Sequence, residues 1–158
     1  MLTIRVAVPD DVALIHHFIV ALADYEKLLH EVVATEDLLR ETLFGARRHA
    51  EVLIAEWDGQ PAGFALFFHN YSTFLARPGI HLEDLFVEPG FRGRGIGRAM
   101  LVRLATLAVE RRCGRLEWVV LNWNTPAIRF YERLGASPVE EWSTFRLTGD
   151  ALSALADP

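Results

Sequence analysis

A loop rich in glycine and arginine, placed between a strand and a helix, constrains this chain more than any other segment. The β-rich run Ile80 to Glu88 ends at Pro89-Gly90, and three arginines and three alternate glycines follow between Phe91 and Ala99. A strongly amphipathic helix then runs from about Gly95 to Arg112. Unpaired N–H groups at a helix start, glycine backbone that lets a ligand come close, and arginine charge together bind anions. The segment therefore predicts a phosphate site, with a tight turn and solvated arginines as the alternative.

Two common phosphate-binding motifs do not describe this loop. The Walker A motif is excluded because no Gly-Lys-Ser/Thr follows. A dinucleotide fingerprint fits poorly, since Arg98 stands where its third glycine is expected and Gly93 lies well beyond the strand end at Glu88. What remains is the pattern Arg-x-x-Gly-x-Gly from Arg92 to Gly97, directly behind a strand.

Length and composition limit the class of protein. The 158 residues, 51% of them hydrophobic, predict a single domain over residues 1–158. No apolar run approaches the ~18 to 20 residues of a membrane span, and Met1 to Arg5 alternates like a strand, so we expect a cytoplasmic protein. The single cysteine, Cys113, excludes an internal disulfide and a Cys-based zinc site. A net charge of −5 argues against nucleic acid or an anionic membrane as the main partner.

Periodicity in the first half of the chain predicts alternating strands and helices. A strand over Leu2 to Val8 precedes a helix that runs to about Tyr25, and a second helix opens at Thr35 and closes at Gly45. The dipeptide Asp58-Gly59 separates two β-rich runs and predicts an antiparallel hairpin.

The second half predicts a parallel pairing and completes the sheet. Leu116 to Leu121 is nearly continuous in apolar residues, which indicates a strand parallel to Ile80–Glu88 beyond a crossover helix. Thr125 is expected to cap a short helix that ends at Gly135. A last strand over Trp142 to Leu147 then completes a mixed α/β sheet with helices on both faces.

The loop pattern resembles that of the GNAT superfamily of acetyl-CoA-dependent N-acetyltransferases. The resemblance extends along nearly the whole chain to the diamine (spermidine/spermine) and thialysine N-acetyltransferases. It implies a mixed, mostly antiparallel sheet that splays apart between two central parallel strands. The segments that carry it are Ala23 to Glu26, Gly63 to Ala65, Leu82 to Val87, Arg92 to Gly97 and Trp123 to Ala136.

The resemblance implies a site for acetyl-CoA. The pantetheine arm is expected to lie in the gap between the parallel strands and to bind strand backbone as an added strand would, while the pyrophosphate binds N–H groups of the loop. The residues implied are Leu85, Phe86, Val87, Arg92, Gly93, Arg94, Gly95, Ile96, Gly97, Arg98, Asn124, Ala127 and Tyr131.

The resemblance also assigns an acid and a base. Tyr131 is implied as the general acid that protonates the leaving thiolate, and a phenol with an ordinary pKa of about 10 is protonated at neutral pH. Its alternative is a half-buried packing role. Glu83 is implied as the base on the ammonium group and as its counter-charge, with an arginine salt bridge as the alternative. Because neighbouring strand residues face opposite sides, Glu83 and Asp84 are not both expected to face solvent.

Tyr25, Glu26, Glu83 and Trp118 are the implied substrate-binding residues. The loop after Glu26 is less acidic than in the polyamine enzymes of the family, which leaves smaller amines open. We expect acetyl transfer to a primary amine of a small cationic substrate, such as a diamine, polyamine or lysine-like molecule, by a homodimer. Alternatives are acetylation of a protein N-terminus or lysine and a non-catalytic acyl-CoA-binding regulatory module. The six histidines show no metal-binding spacing, so no metal is expected.

Overall fold

The computed structural model describes residues 1–157, which carry five strands and five α-helices. The strands are β1 Leu2–Val6, β2 Glu51–Trp57, β3 Gln60–Ser72, β4 Arg77–Val87 and β5 Leu116–Trp118. The helices are α1 Val12–Tyr25, α2 Glu36–Phe44, α3 Ile96–Glu110, α4 Thr125–Arg133 and α5 Gly149–Ala156. Among these residues, no helix combines the length and the apolar composition that crossing a membrane requires.

The strands form one mixed sheet in the order β1-β2-β3-β4-β5. Neighbours from β1 to β4 are antiparallel, whereas β4 and β5 are parallel, as predicted. The predicted hairpin between β2 and β3 is confirmed, and both of its turn residues, Asp58 and Gly59, have positive φ. Such a turn matches the natural twist of the two strands it joins.

Helices cover both faces of the sheet, as predicted. On one face α1 and α2 bury Phe18, Leu39 and Leu43 against Ile54, Phe64 and Phe86, and the rings of Phe18 and Phe64 stack at 5.3 Å. Side chains alternate along a strand, so Leu53 and Ala65 point to the opposite face, where α3 packs.

Side-chain caps fix the starts of two helices. The predicted cap of α2 is confirmed, because Thr35 Oγ1 accepts a hydrogen bond from the Leu38 N–H at 3.2 Å. At α4 the prediction is wrong by one residue, since Asn124 and not Thr125 is the N-cap and its Oδ1 accepts from the Ala127 N–H at 3.4 Å. Asparagine serves this position as well as threonine does.

The parallel pairing is shorter than predicted. Strand β5 ends at Trp118 and not at Leu121, and it pairs with β4 only from Ile80 to Leu82. The expected strand Trp142–Leu147 does not form: Trp142 and Phe145 are exposed, and among residues 1–157 the sheet ends at β5. The parallel pair therefore lies at the end of the described sheet and not at its centre.

The described chain separates into two compact units at Val119. The first unit, Met1–Val119, contains the sheet and helices α1 to α3. The second unit begins at Val120 and contains α4 and the additional helix α5, which the sequence pattern did not predict.

Candidate active site

A β-bulge in β4 shapes the candidate site. Leu66 and Phe67 are consecutive in β3, but they pair with Asp84 and Leu82, so Glu83 has no counterpart. An extra residue of this kind bends a strand and redirects its side chains and backbone groups.

The bulge turns backbone groups of β4 toward an open edge. The Ile80 N–H donates to Arg115 O, next to β5, whereas the Glu88 N–H donates to Ala62 O on β3. In a regular strand, even-numbered residues direct their backbone N–H and C=O groups to one neighbouring strand and odd-numbered residues to the other. Ile80 and Glu88 are both even-numbered but bond to opposite sides, so the direction of the backbone groups changes at the bulge between them. Beyond it, Leu85 and Val87 direct their backbone groups away from β3.

This edge is where β4 and β5 part. Past Leu82 no strand among residues 1–157 pairs with β4 on the β5 side. The Val87 carbonyl accepts a hydrogen bond from Arg92 Nε at 2.9 Å. The backbone groups that remain directed toward the edge are the N–H and C=O of Leu85 and the N–H of Val87. The Glu88 N–H bonds to β3, and Phe86 lies two residues before Glu88 in the same strand, so the backbone groups of Phe86 also face β3. Contrary to expectation, Phe86 offers no backbone group to a ligand at this edge.

The glycine-rich loop presents backbone N–H groups at the start of α3. Gly95 is the N-cap residue and carries no side chain to cap the helix. Gly93 and Gly95 have positive φ, and a Cβ added at either glycine would meet nothing within 4 Å. The buried Ile96 anchors the first turn, and Arg98 is exposed beside it. Open space, exposed donors and the positive end of the helix dipole fit a diphosphate group.

Two of the three loop arginines lie against aromatic rings. The Arg92 guanidinium lies 5.1 Å from the centre of the Tyr25 ring and 5.6 Å from that of Phe86. Arg94 lies 5.1 Å from the Trp57 ring centre. Such cation–π contacts hold a guanidinium in place. Tyr25 of the expected substrate loop is thereby brought against Arg92 of the expected cofactor loop.

Three carboxylates interact on the face of the sheet that α1 covers. Glu83 is exposed, while Asp84 and Glu26 are half-buried. Burial, followed by the negative charges of Glu83 and Glu26, raises the pKa of Asp84 to about 7. Burial also raises the pKa of Glu26. The expectation that Glu83 and Asp84 face opposite sides is wrong, because the bulge interrupts the strict alternation of β4.

Register assigns the residues of β5 to different faces. Trp118 pairs with Leu82, whose side chain is buried on the α3 side, and Glu117 pairs with His81. Residues paired across neighbouring strands point to the same face. Trp118, which was expected to bind substrate, therefore faces the α3 side of the sheet. Glu117 lies on the other face, with Glu83 and Asp84.

The second unit carries the remaining expected residues on one helix. Asn124 is buried and caps α4, and Ala127 supplies the N–H that Asn124 accepts. Tyr131 lies near the end of α4, half-buried, with its ring centre 5.5 Å from that of Phe130. Asn124 and Tyr131 are seven positions apart, so about two helical turns separate them and both lie on the same side of α4.

Comparison with known proteins decides the family. The model of the acetyltransferase (GNAT) family matches residues 17–136. This chain belongs to the GNAT family. It is 36% identical to an L-ornithine N5-acetyltransferase of Arabidopsis thaliana, with 96% of this chain and 86% of that protein covered. It is 37% identical to the thialysine N-epsilon-acetyltransferase of Bos taurus, with 97% and 96% covered.

The fold agrees with this membership. An integron cassette protein from the mobile metagenome of V. cholerae superposes with a TM-score of 0.83 at 27% identity, over 99% of this chain and 98% of that one. The protein is an acetyl-CoA-dependent N-acetyltransferase.

Two acidic residues of this face received no role from the sequence. The pair Glu83-Asp84 is visible in the sequence, but the raised pKa of Asp84 comes from burial and from the charges of Glu83 and Glu26, which depend on the folded structure. Glu117 gave no signal, because its face depends on the pairing of β5. No cluster of three histidine, cysteine or acidic residues that could hold a metal occurs in residues 1–157.

Proposed function

We propose that this enzyme transfers the acetyl group of acetyl-CoA to a primary amine of a small cationic molecule, such as a diamine, a polyamine or a lysine-like compound. The single observation that carries the proposal is the acidic cluster of Glu26, Glu83 and Asp84, which adjoins the open edge at Leu85 and Val87. A cationic amine held by this cluster stands next to the backbone groups that would bind the thioester arm.

Acetyl-CoA binding is assigned to residues whose geometry fits it. Leu85 and the Val87 N–H are the edge groups for the pantetheine arm, in the manner of an added strand. The N–H groups from Gly93 to Arg98 would hold the pyrophosphate, and Arg98 supplies charge there. From the family resemblance, Asn124 and Ala127 contribute from α4.

The reaction needs a base and an acid. The substrate arrives as an ammonium ion and must lose a proton before its nitrogen can attack the thioester carbonyl carbon. Glu83 is assigned as the first acceptor of that proton and as a counter-charge, together with Glu26 and Asp84. A C–N bond forms, the C–S bond breaks, and Tyr131 protonates the coenzyme A thiolate.

The size of the amine follows from the placement of the acids. The loop after Glu26 carries few acidic residues, whereas the sheet presents Glu83, Asp84 and Glu117 on one face. The relatives named above act on ornithine and thialysine, both of which carry a terminal amine. We therefore place small diamino compounds ahead of long polyamines.

Residues 1–158 are further proposed to be one catalytic domain, since the family match from 17 to 136 crosses the boundary at Val119. A cytoplasmic location is proposed because a chain with a single cysteine needs no oxidising compartment. A homodimer is proposed because apolar residues such as Trp142 and Phe145 are exposed. Light scattering on a sizing column tests the dimer, and fractionation of cells that express the protein tests the compartment.

The test is a coenzyme A release assay over a panel of amines. The panel contains putrescine, spermidine, spermine, lysine, ornithine, thialysine and a short basic peptide, and mass spectrometry identifies each product. We expect one added acetyl group on a small diamino compound and a matching amount of coenzyme A. Turnover of the peptide alone would favour a protein acetyltransferase, and binding of acetyl-CoA without turnover of any amine would favour a regulatory module. A reaction without amine measures the background from the Cys113 thiol.

A further inference from the structure

His81 lies beside the residue assigned as the base. Its Nε2 atom is 3.6 Å from Glu83 Oε2, and its side chain is only 19% exposed, against 56% for Glu83. The imidazole ring packs on Phe68 of β3, with ring centres 5.0 Å apart. The ring is therefore held in place, while the Glu83 carboxylate can rotate to close the remaining distance.

The other strand histidine does not share this environment. His69 lies on the opposite face of the sheet, where Glu51 and Arg111 are its neighbours. His81 instead has carboxylates on two sides, Glu83 on its own strand and Glu117 beside it on β5. Glu117 in turn accepts a hydrogen bond from Asn70 Nδ2 at 2.6 Å and pairs with Arg115 at 3.5 Å. An imidazolium ion formed at His81 would have counter-charges at hand.

Chemistry favours an imidazole behind the carboxylate. In water a glutamate side chain has a pKa of about 4.3 and a primary ammonium group, like that of lysine, a pKa of about 10.4, so a carboxylate alone is a weak acceptor. The pKa of imidazole is about 6.5, so it lies closer than that of a carboxylate to the pKa of the ammonium group. General bases work best when their pKa lies near the working pH.

We propose that His81 is a positioning residue that receives the amine proton through Glu83. The N–H bond of the ammonium breaks, the proton passes by way of the Glu83 carboxylate to the Nε2 lone pair of His81, and the freed nitrogen lone pair of the amine attacks the thioester. The imidazolium then releases the proton to solvent. This inference rests on the proposed function, because it needs an ammonium substrate next to Glu83.

The test compares two substitutions and a matched control. His81→Phe keeps a ring against Phe68 but has no basic nitrogen, and His81→Gln is polar but does not accept a proton at neutral pH. His69→Gln makes the same change on the other face. Each variant is measured for kcat/KM from about pH 6 to pH 9 with the best diamine, and for the rise in Tm that acetyl-CoA causes, which reports folding.

We expect both His81 variants to lose at least about tenfold in kcat/KM at pH 7, within the range of acid–base effects. The loss should shrink as the pH rises, because more substrate then arrives as the neutral amine. His69→Gln should behave like the wild type. A wild-type rate in His81→Phe, or the same fold-loss at every pH, would overturn the inference and leave the proposed function standing. A wild-type enzyme that turns over no amine would overturn both.

Discussion

Glu83 and Asp84 are consecutive in the chain, and the bulge in β4 nevertheless brings both carboxylates to the face of the sheet against which α1 packs. Two carboxylates that share a site do not ionise independently, because the charge on one disfavours the charge on the other. The half-buried Asp84 is the member whose pKa is raised, to about 7, and a cationic substrate would favour its ionised form.

Asp84 makes stability depend on pH. Its pKa in the folded protein, about 7, lies above its ordinary value of 3.8, so between these values the native state holds more protons than the unfolded state. The free energy of unfolding therefore falls as the pH rises through this window. We expect Asp84→Asn to be more stable than wild type by about 1 to 3 kcal/mol at about pH 8, and equally stable at about pH 4.

Urea unfolding at both pH values measures this difference. Asp10→Asn is the matched control, because Asp10 is exposed and lies in the turn before α1. A stability gain in Asp84→Asn that is the same at both pH values would mean that ionisation of Asp84 is not its source.

Replacement of Tyr131 by Phe separates chemistry from packing. The ring remains, so we expect stability to change by only about 1 kcal/mol, the contribution of one hydrogen bond. Loss of a general acid should lower kcat at least about tenfold, and up to about 10⁴-fold. The dissociation constant of acetyl-CoA should stay within a few fold of the wild-type value. Rapid-quench kinetics confirm that chemistry limits the measured rate.

Tyr71→Phe is the control for that experiment, since Tyr71 is an exposed tyrosine at the end of β3. If kcat of Tyr131→Phe stays within about twofold of wild type, Tyr131 is not the acid, because a missing general acid costs far more.

Gly95 and Gly59 share a positive φ of 77°. Alanine at either position should cost about 1 to 2 kcal/mol of backbone strain. Only Gly95→Ala places a methyl group in the diphosphate cradle. Acetyl-CoA at about a hundred times its dissociation constant should stabilise the wild type and Gly59→Ala by about 2.7 kcal/mol. We expect Gly95→Ala to lose most of that gain.

Thermal melts with and without acetyl-CoA provide this comparison. An equal ligand-induced rise in Tm for the two alanine variants would show that the diphosphate does not lie over Gly95.

Glu26 is expected to act on substrates that carry a second positive charge. Glu26→Gln should raise KM for a diamine several-fold and leave KM for an uncharged-tail monoamine nearly unchanged. The difference should shrink at high salt, since partly exposed charges such as that of Glu26 are still screened, over about 8 Å at physiological ionic strength. Glu31→Gln is the control, because Glu31 lies in the same loop and is exposed. Equal effects of Glu26→Gln on both amines would remove Glu26 from the substrate site.

Local signals in the sequence predicted much of the fold. The Asp58-Gly59 turn and the Thr35 cap depend on neighbouring residues alone, and both are confirmed. The helix that follows Gly95 was also predicted, because apolar residues recur along it at helical spacing.

Pairing between strands could not be read in the same way. The bulge at Glu83 exists only in the register between β3 and β4, so the sequence predicted strict alternation there and misplaced Asp84. The faces of Trp118 and Glu117 likewise depend on where β5 pairs. The run Trp142–Leu147 has β-type residues but no strand partner, and β-propensity without a partner does not make a strand.

The acidic cluster of Glu26, Glu83 and Asp84 is proposed to select an amine with a second positive charge. The most direct measurement compares kcat/KM for 1,5-diaminopentane and pentylamine, which match in length and differ in the far ammonium group. At low salt we expect the wild type to prefer the diamine by at least about tenfold, the ratio that one interaction of about 1.4 kcal/mol gives. That preference should fall as salt is added. Equal kcat/KM values at low salt, or a preference for pentylamine, would show that the acidic cluster does not bind the second charge of the substrate.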